Sequence, residues 1–406
     1  MKIIDGGVTA AKGYEASDTA AKIKYQNRTD MALIYSETPC VVAGTFTTNV
    51  VKAAPVVWDK AIIDSGQKVN AVVVNSGIAN ACTGAKGYGY CQDTSDEAKK
   101  VLGIDTQVLL GSTGVIGMQL PIDRIKAGVS KLSAAKSSSL EAGNKAAKAI
   151  MTTDTYEKEI AVGFKVNDAE VTIGGMAKGS GMIHPNMCTM LAYITTDAVI
   201  GKEALQAALS EDVSDTYNMI SVDGDTSTND TVLLLANGQA GNAEIIKGTP
   251  EFDEFKKALG TVNEYLAKKI AGDGEGATAL FEVTVVGAKS KSDAQTIAKS
   301  VVCSDLTKTA IAGHDANWGR ILCAMGYAGV DFVPEKVDLF FESSVGKIQI
   351  MKAGVATDYS EEEATKILSQ PEVKAIADLH EGDISGTAWG CDLTHGYIDI
   401  NADYRS

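Results

Sequence analysis

The sequence lacks the features of a membrane-spanning, secreted or nucleic-acid-binding protein. No apolar run approaches the roughly 18 residues that a membrane-spanning helix needs, and the stretch MKIIDGGVTAAKGYEA at the start has no apolar core of a secretory signal. Asp and Glu total 52 against 37 Lys and Arg, a formal net charge of −15, so we expect no basic face for nucleic acid or anionic lipid. The seven cysteines show no CxxC spacing, which predicts buried, reduced thiols in a cytoplasmic protein.

Patterns for nucleotides and metals are also missing. The stretch GSTGVIG (111–117) follows a strand-like run but matches neither GxGxxG nor GxxxxGK[ST]. Three aspartates within 223–230 lack the further carboxylates of an EF-hand loop, and Asp392 with His395 has no third zinc ligand in view. We therefore assign turn and capping roles to these acids and predict neither a metal nor a cofactor.

Strand-like and helix-like segments alternate along the chain, which predicts the mixed α/β class. With 406 residues, 45% hydrophobic and 22% charged, the chain has the composition of a globular protein with a sizeable core. Apolar runs rich in valine and leucine predict buried strands at 69–74, 107–110 and 231–236. Apolar residues three and four apart predict an amphipathic helix over 250–270, and turn residues predict a hairpin over 159–174. Alternation over 397–403 predicts an extended strand at the tail.

The stretch KGSGMIHPNMCTML (178–191) leads from a glycine-rich turn into an apolar, β-branched run that predicts a buried strand. Thr189 is therefore a small hydroxyl residue at the entry to a core strand. One interpretation is an ordinary strand residue. The other is a nucleophile, for which a cut between Cys188 and Thr189 would free an α-amine with a pKa of about 7.7–8.0 to act as the base.

Other polar positions also have a structural and a chemical interpretation. Thr113 and Gly114 lie in the turn 111–117, where a hydroxyl and a backbone N–H could stabilise an oxyanion instead of only joining a strand to a helix. Thr152 lies in a polar turn, where capping a helix end is the commoner role of such hydroxyls. Glu275 lies in a glycine-rich loop, where a solvated carboxylate is expected.

These stretches resemble one family over nearly the whole chain. KGSGMIHPNMCTML resembles the self-cleavage signature of the ornithine acetyltransferases, the bifunctional glutamate N-acetyltransferases of arginine biosynthesis, which have alanine where this chain has Cys188. Further stretches that resemble the family are AGTFTTNVVKAAPV (43–56), VNSGIANACTG (74–84), GSTGVIG (111–117), IMTTDT (150–155), SVDGDTSTNDT (221–231), GDGEGAT (272–278), NWGRIL (317–322) and INADYRS (400–406).

The resemblance implies an α/β layered sandwich of the N-terminal-nucleophile type that cuts itself between Cys188 and Thr189. The products would be an alpha chain, 1–188, and a beta chain, 189–406, assembled as an α2β2 heterotetramer. Since the sequence shows no flexible linker, we expect any two-part division to come from this cut. The implied reaction moves an acetyl group from N2-acetylornithine to glutamate through an acetyl-Thr189 enzyme.

The resemblance also implies a role for individual residues. Thr113 and Gly114 would hold the oxyanion. The implied substrate contacts are Thr152, Lys178, Thr189, Glu275, Asn401 and Ser406. Lys178 would bind a substrate carboxylate or support the nucleophile, and the sequence leaves both roles open, as it does the use of acetyl-CoA as a second donor.

Two other function classes fit the same residues. An amidohydrolase or aminopeptidase would use the same nucleophile with water as the acceptor in place of glutamate. A non-enzymatic glycine-rich binding protein would form no acyl-enzyme on Thr189 at all.

Overall fold

The computed structural model describes residues 1–184 and 190–402, which divide into two compact units. The first unit comprises residues 1–179, 190–218 and 226–266, and the second comprises residues 180–184, 219–225 and 267–402. The boundaries between the units in the sequence do not fall at 188/189, so the expectation that any division would come from cleavage alone is wrong. The cleavage products 1–188 and 189–406 stay a prediction.

The first unit is built on one large sheet. Its elements are β1 (Lys2–Ile4), β2 (Tyr14–Thr19), β3 (Met31–Phe46), α1 (Ala54–Ser65), β4 (Val69–Ile78), α2 (Ala85–Leu102), β5 (Gln107–Val115), α3 (Ile122–Ala135), α4 (Leu140–Ala149), β6 (Lys158–Val166), β7 (Ala169–Lys178), β8 (Leu191–Thr196), α5 (Lys202–Asp215), β9 (Thr231–Ala236) and α6 (Pro250–Gly272), whose last turns belong to the second unit. Among the described residues the sheet has nine strands in the order β1-β6-β7-β8-β9-β3-β4-β5, with β2 paired to β3.

Hydrophobic pattern places these strands correctly. The predicted strands at 69–74, 107–110 and 231–236 lie within β4, β5 and β9, and every residue of β4 and β9 is buried. The predicted hairpin is β6 and β7, whose turn uses a left-handed residue, Asn167, at φ +52°. The helix predicted over 250–270 is α6, with Phe255, Leu259 and Val262 fully buried. The mixed α/β class is confirmed.

Helices cover the part of this sheet that carries the site. α1 and α2 pack on β5, α3 and α4 pack on β2, and α5 packs on β3. Together with β2 to β5, helices α1 to α4 enclose a core of mostly aliphatic side chains, of which Leu33, Val72 and Leu109 are almost fully buried. The ends of β5 and β7 are therefore held by a packed core.

The second unit has its own mixed sheet. Its elements are β10 (Leu280–Ala288), α7 (Lys291–Val302), α8 (Asp305–Ala312), α9 (Trp318–Gly326), β11 (Asp338–Ser343), β12 (Gly346–Lys352), β13 (Val355–Ala356), α10 (Glu361–Leu368), β14 (Glu372–Asp378), β15 (Ile384–Cys391) and α11 (His395–Asn401). The six described strands follow the order β13-β12-β11-β14-β10-β15, in which β10 and β14 run parallel and the other pairs run antiparallel.

The strand predicted over 397–403 is wrong for 397–401, because 395–401 forms α11, and residue 403 lies outside the described residues. The side chain of Thr394 accepts a hydrogen bond from the backbone N–H of Gly396 and caps the helix. Ile398 and Ile400 are 62% and 38% exposed, so the alternation in the sequence does not correspond to a buried sheet face. A two-residue period over so short a segment could not decide between strand and helix.

The cysteines follow the sequence prediction only in part. The six described cysteines are free thiols, and Cys40, Cys91 and Cys391 are buried, but Cys82 and Cys323 are exposed. Burial raises the pKa of the Cys40 and Cys391 thiols, which keeps them protonated at neutral pH. In the described ranges, no helix combines the length and apolar character needed to cross a membrane.

Candidate active site

Thr113 and Gly114 lie at the end of β5, where the strand runs beside β4 with Thr113 opposite Ser76 and Gly114 opposite Gly77. Gly114 has φ +125°, a backbone conformation that residues other than glycine rarely adopt. A Cβ at this position would lie 2.3 Å from the carbonyl carbon of Gly77 and 2.4 Å from its oxygen. The close approach of two backbones therefore requires glycine here.

Polar side chains hold the backbone on both sides of this contact. The Nδ2 of Asn229 donates to the carbonyl of Ser112 at 2.8 Å and to that of Ala79 at 2.6 Å. The hydroxyl of Ser112 donates to Oδ1 of Asn75 at 2.6 Å. Asn75 and Asn229 are buried, so these bonds form out of contact with water and fix the strand rigidly.

Lys178 joins Thr113 to Thr152. It is the last residue of β7 and is only 7% exposed, and its Nζ donates to Oγ1 of Thr152 at 2.9 Å and to Oγ1 of Thr113 at 3.4 Å. An ammonium group can only donate, so both hydroxyl oxygens act as acceptors and each hydroxyl hydrogen can be directed to another acceptor. Thr152 thus contacts a lysine side chain rather than capping a helix, which corrects the capping interpretation.

Asp154 is the carboxylate of this cluster. Oδ1 accepts from Nζ of Lys158 at 2.7 Å and from the backbone N–H of Gly179 at 2.7 Å, and Oδ2 accepts from the backbone N–H of Thr152 at 3.0 Å. Burial alone would raise the pKa of this carboxyl, but the charges of Lys178 and Lys158 and the hydrogen bonds hold it well below its ordinary value. The aspartate is therefore ionised at neutral pH.

Glu275 and Asn401 meet in the second unit. Nδ2 of Asn401 donates to Oε2 of Glu275 at 2.6 Å. Glu275 is 7% exposed, and its carboxylate packs on Gly181, where an added Cβ would lie 2.3 Å from Cδ of Glu275. The prediction of a solvated loop carboxylate is wrong, because the loop folds against the glycine-rich stretch that precedes the predicted cut.

Asp223 holds the same glycine-rich stretch. Its two carboxylate oxygens accept from the backbone N–H groups of Met182 at 2.6 Å and Ile183 at 2.8 Å. Oδ1 also accepts from the N–H of Asp225 at 3.2 Å, and Oδ2 accepts from the hydroxyl of Tyr397 at 3.2 Å. The bond from Asp225 is the turn role that the sequence predicts for Asp223. The bonds from Met182, Ile183 and Tyr397 are long-range contacts that the sequence did not predict.

Asp392, which the sequence analysis weighed with His395 and did not assign to a metal, also holds backbone groups. Asp392 accepts hydrogen bonds from the backbone and hydroxyl of Thr278 and from the N–H of Ala279, and His395 begins α11. In the part of the chain that the structure describes, no group of three or more His, Cys, Asp or Glu side chains could hold a metal ion.

The structure thus brings Thr113, Thr152 and Lys178 together in the first unit, and Glu275 and Asn401 together in the second. Cys188, Thr189 and Ser406 lie outside the described residues. The sequence analysis missed two supporting residues, Asp154 and Asn229. Both lie in stretches that carry the family resemblance, IMTTDT and SVDGDTSTNDT, which was the available signal.

Comparisons with known proteins agree with these stretches. A model of the ArgJ family matches residues 15–406. The arginine biosynthesis bifunctional protein ArgJ of Symbiobacterium thermophilum is 49% identical over 409 residues, covering 100% of each chain. ArgJ 1 of Clostridium acetobutylicum is 50% identical over 408 residues, covering 100% of this chain and 99% of the relative.

A solved structure is also similar. The crystal structure of the arginine biosynthesis bifunctional protein ArgJ from Bacillus halodurans is 49% identical in sequence, with a TM-score of 0.51, and the match covers 53% of this chain and 99% of that chain. A family model over nearly the full length and relatives near 50% identity point the same way. This chain belongs to the ArgJ family.

Proposed function

We propose that this chain is an acetyltransferase of arginine biosynthesis that moves the acetyl group of N2-acetylornithine to glutamate. Relatives matched over their whole length carry the name arginine biosynthesis bifunctional protein. The observation that carries the chemistry is the pair of hydroxyls, Thr113 and Thr152, that accept from one buried ammonium group. Neither the hydrolase nor the non-enzymatic alternative is favoured, since the names of the relatives refer to arginine biosynthesis.

Self-cleavage between Cys188 and Thr189 prepares the nucleophile. The hydroxyl oxygen of Thr189 attacks the carbonyl carbon of Cys188, the peptide C–N bond breaks, and the nitrogen takes a proton and becomes a free α-amine. Water then hydrolyses the resulting ester, which leaves a carboxylate on Cys188 and restores the hydroxyl of Thr189. A free amine can accept a proton, whereas an amide nitrogen has its lone pair in resonance with the carbonyl.

Two observations support this part of the proposal. Leu191, two residues after Thr189 in the sequence, pairs with Lys178 across β7 and β8. The solved Bacillus halodurans chain is matched over 99% of its length but covers only 53% of this chain. The 218 residues from 189 to 406 are about 54% of the 406, the length expected for one product of the cut.

Acetyl transfer then follows in two steps. Oγ of Thr189 attacks the acetyl carbonyl of N-acetylornithine, its α-amine takes the hydroxyl proton, and ornithine leaves with that proton on its amine. The Thr113 hydroxyl and the Gly114 backbone N–H donate to the oxyanion that forms at the carbonyl oxygen. Glutamate attacks the acetyl ester through its own amine, which releases N-acetylglutamate and returns the proton to Thr189.

The remaining assignments are parts of the same proposal. Lys178 provides a positive charge beside Thr113 and Thr152 in a chain of net charge −15, which suits substrates that carry carboxylates. The resemblance to the family assigns substrate contacts to Glu275, Asn401 and Ser406. The carboxylate of Glu275 suits an α-ammonium group. We also propose, from the same resemblance, an α2β2 assembly, a cytoplasmic location and acetyl-CoA as a second donor, with no other cofactor.

Steady-state kinetics test the function directly. We expect parallel lines in double-reciprocal plots, because both substrates use one acyl carrier. The products should be ornithine and N-acetylglutamate in equal amounts. Release of free acetate without N-acetylglutamate would instead support the amidohydrolase alternative, and intersecting lines would contradict an acetyl-enzyme.

A further inference from the structure

We infer that Asp154 is a positioning residue of the acetyl-transfer site, which fixes Thr152 and Gly179 on either side of Lys178 and supplies the charge that Lys178 requires. The inference rests on the proposed function, because it assigns Asp154 to the same reaction. It adds a residue to which the sequence analysis assigned no role.

The geometry of the carboxylate is the first argument. One oxygen accepts a hydrogen bond from the N–H of Gly179, the residue directly after Lys178, at 2.7 Å. The other oxygen accepts one from the N–H of Thr152 at 3.0 Å. Lys178 in turn donates to the hydroxyl of Thr152. Asp154 therefore holds the backbone on both sides of the contact between lysine and threonine, and its loss displaces both partners.

The charge of this cluster is the second argument. The side chains of Asp154 and Lys158 are 0% exposed, and Lys178 is buried as well. Two cations therefore share one carboxylate out of contact with water, where an unbalanced charge is costly. Without the carboxylate, the charged form of Lys178 loses its nearby counter-charge.

Other charged groups lie around the cluster and do not replace Asp154. The charges of Lys158 and Lys178 act on Asp154, and those of Arg28, Asp30 and Asp154 act on Tyr25. Arg28 donates to the carbonyls of Met151 and Thr152 and so supports the same turn. Asp30 accepts from the N–H groups of Ala21 and Ile23, so each of its oxygens has a donor of its own.

A purely structural role is the alternative that must be separated. Lys158 lies within 2.7 Å of Asp154, and its Nζ also lies 4.9 Å from the ring centroid of Tyr156. Asp154 could then serve only to neutralise Lys158. Removing the charges of Asp154 and Lys158 together distinguishes the two roles. The double variant has no charge at position 158 to neutralise, so any loss that remains comes from the effect of Asp154 on Lys178, Thr152 and Gly179.

The experiment compares wild type with Asp154→Asn, Lys158→Met and the double variant Asp154→Asn/Lys158→Met. Each protein is checked for folding by circular dichroism and for cleavage by intact mass, and kcat/KM for acetyl transfer is measured against pH. We expect Lys158→Met to stay close to wild type. The folded double variant should lose about 10- to 150-fold in kcat/KM, the range for lost hydrogen bonds to a charged group.

The pH profile carries the decisive readout. The basic limb of kcat/KM should lie at lower pH in the double variant than in Lys158→Met, since these two proteins differ only in the carboxylate that favours the charged form of Lys178. A folded double variant that remains uncut also supports the inference, through the lost anchor at Gly179. A double variant with the kcat/KM and pH profile of Lys158→Met would overturn it.

Two further outcomes are assigned in advance. A double variant that fails to fold while Lys158→Met folds would give Asp154 a folding role and would also overturn the inference. Wild type measured in parallel separates this test from that of the function. If wild type forms no N-acetylglutamate, the proposed function fails, whatever the variants do.

Discussion

Replacing Thr189 with alanine is expected to give a chain that stays whole at 42.4 kDa and transfers no acetyl group. Alanine has no hydroxyl to attack the carbonyl of Cys188, so the peptide bond is not cut and no α-amine is freed. Transfer should fall by about 10⁴-fold or more, the scale seen when a nucleophile is removed. Denaturing mass spectrometry measures the cut, and a coupled assay for N-acetylglutamate measures the transfer.

Two matched variants at the same bond test the reason for that loss. Thr189→Ser keeps a hydroxyl and, after cleavage, an α-amine, so it should cut and transfer at a reduced rate. Cys188→Ala changes the other side of the bond to the residue that the resembling family has, and it should cut as wild type does. Transfer by the uncut Thr189→Ala chain would rule out the mechanism, and an uncut Cys188→Ala chain would assign the thiol a part in cleavage.

Replacing Gly114 with alanine is expected to lower kcat/KM by about 10²- to 10³-fold, the cost of losing one oxyanion donor. The new Cβ would lie 2.3 Å from the carbonyl carbon of Gly77, which is backbone and cannot rotate away. The backbone of β5 must then shift, and the Gly114 N–H with it. The measurement is acetyl transfer by the purified, folded variant, with KM determined separately.

Gly117→Ala is the matched control for this prediction. Gly117 also has a positive φ, +87°, and lies three residues further along, but an added Cβ meets nothing within 4 Å. It therefore reproduces the backbone strain of an alanine without the clash. We expect Gly117→Ala to keep most of the activity, and equal losses in both variants would contradict a specific role for Gly114.

Local pattern predicted the elements whose residues repeat with a clear period. The helix over 250–270 and the hairpin of β6 and β7 were predictable because core-facing positions recur every three to four residues in one, and a turn pair divides two apolar runs in the other. The prediction for the tail was wrong because the alternation from 397 to 401 fits a strand as well as a helix. The division into two units was not predicted because it depends on contacts between distant segments, which a search for linkers does not detect.

The site divides along the same line. Resemblance pointed to Thr113, Thr152 and Lys178, and the structure places these three side chains in hydrogen-bond contact although up to 65 residues separate them. The burial of Glu275 was not predictable, since it depends on packing against Gly181, which lies far away in the sequence. Asp154 was missed because its role is visible only once Lys158, Lys178 and Gly179 surround it.

The central claim is that Thr189 becomes the N-terminal residue that carries the acetyl group. The most direct test is the intact mass of the purified protein under denaturing conditions, with N-terminal sequencing, before and after incubation with N-acetylornithine alone. The account predicts two fragments of similar size, the second beginning at Thr189 and gaining the mass of one acetyl group on that residue. A single species of 42.4 kDa, or an acetyl group on any other residue, would contradict it.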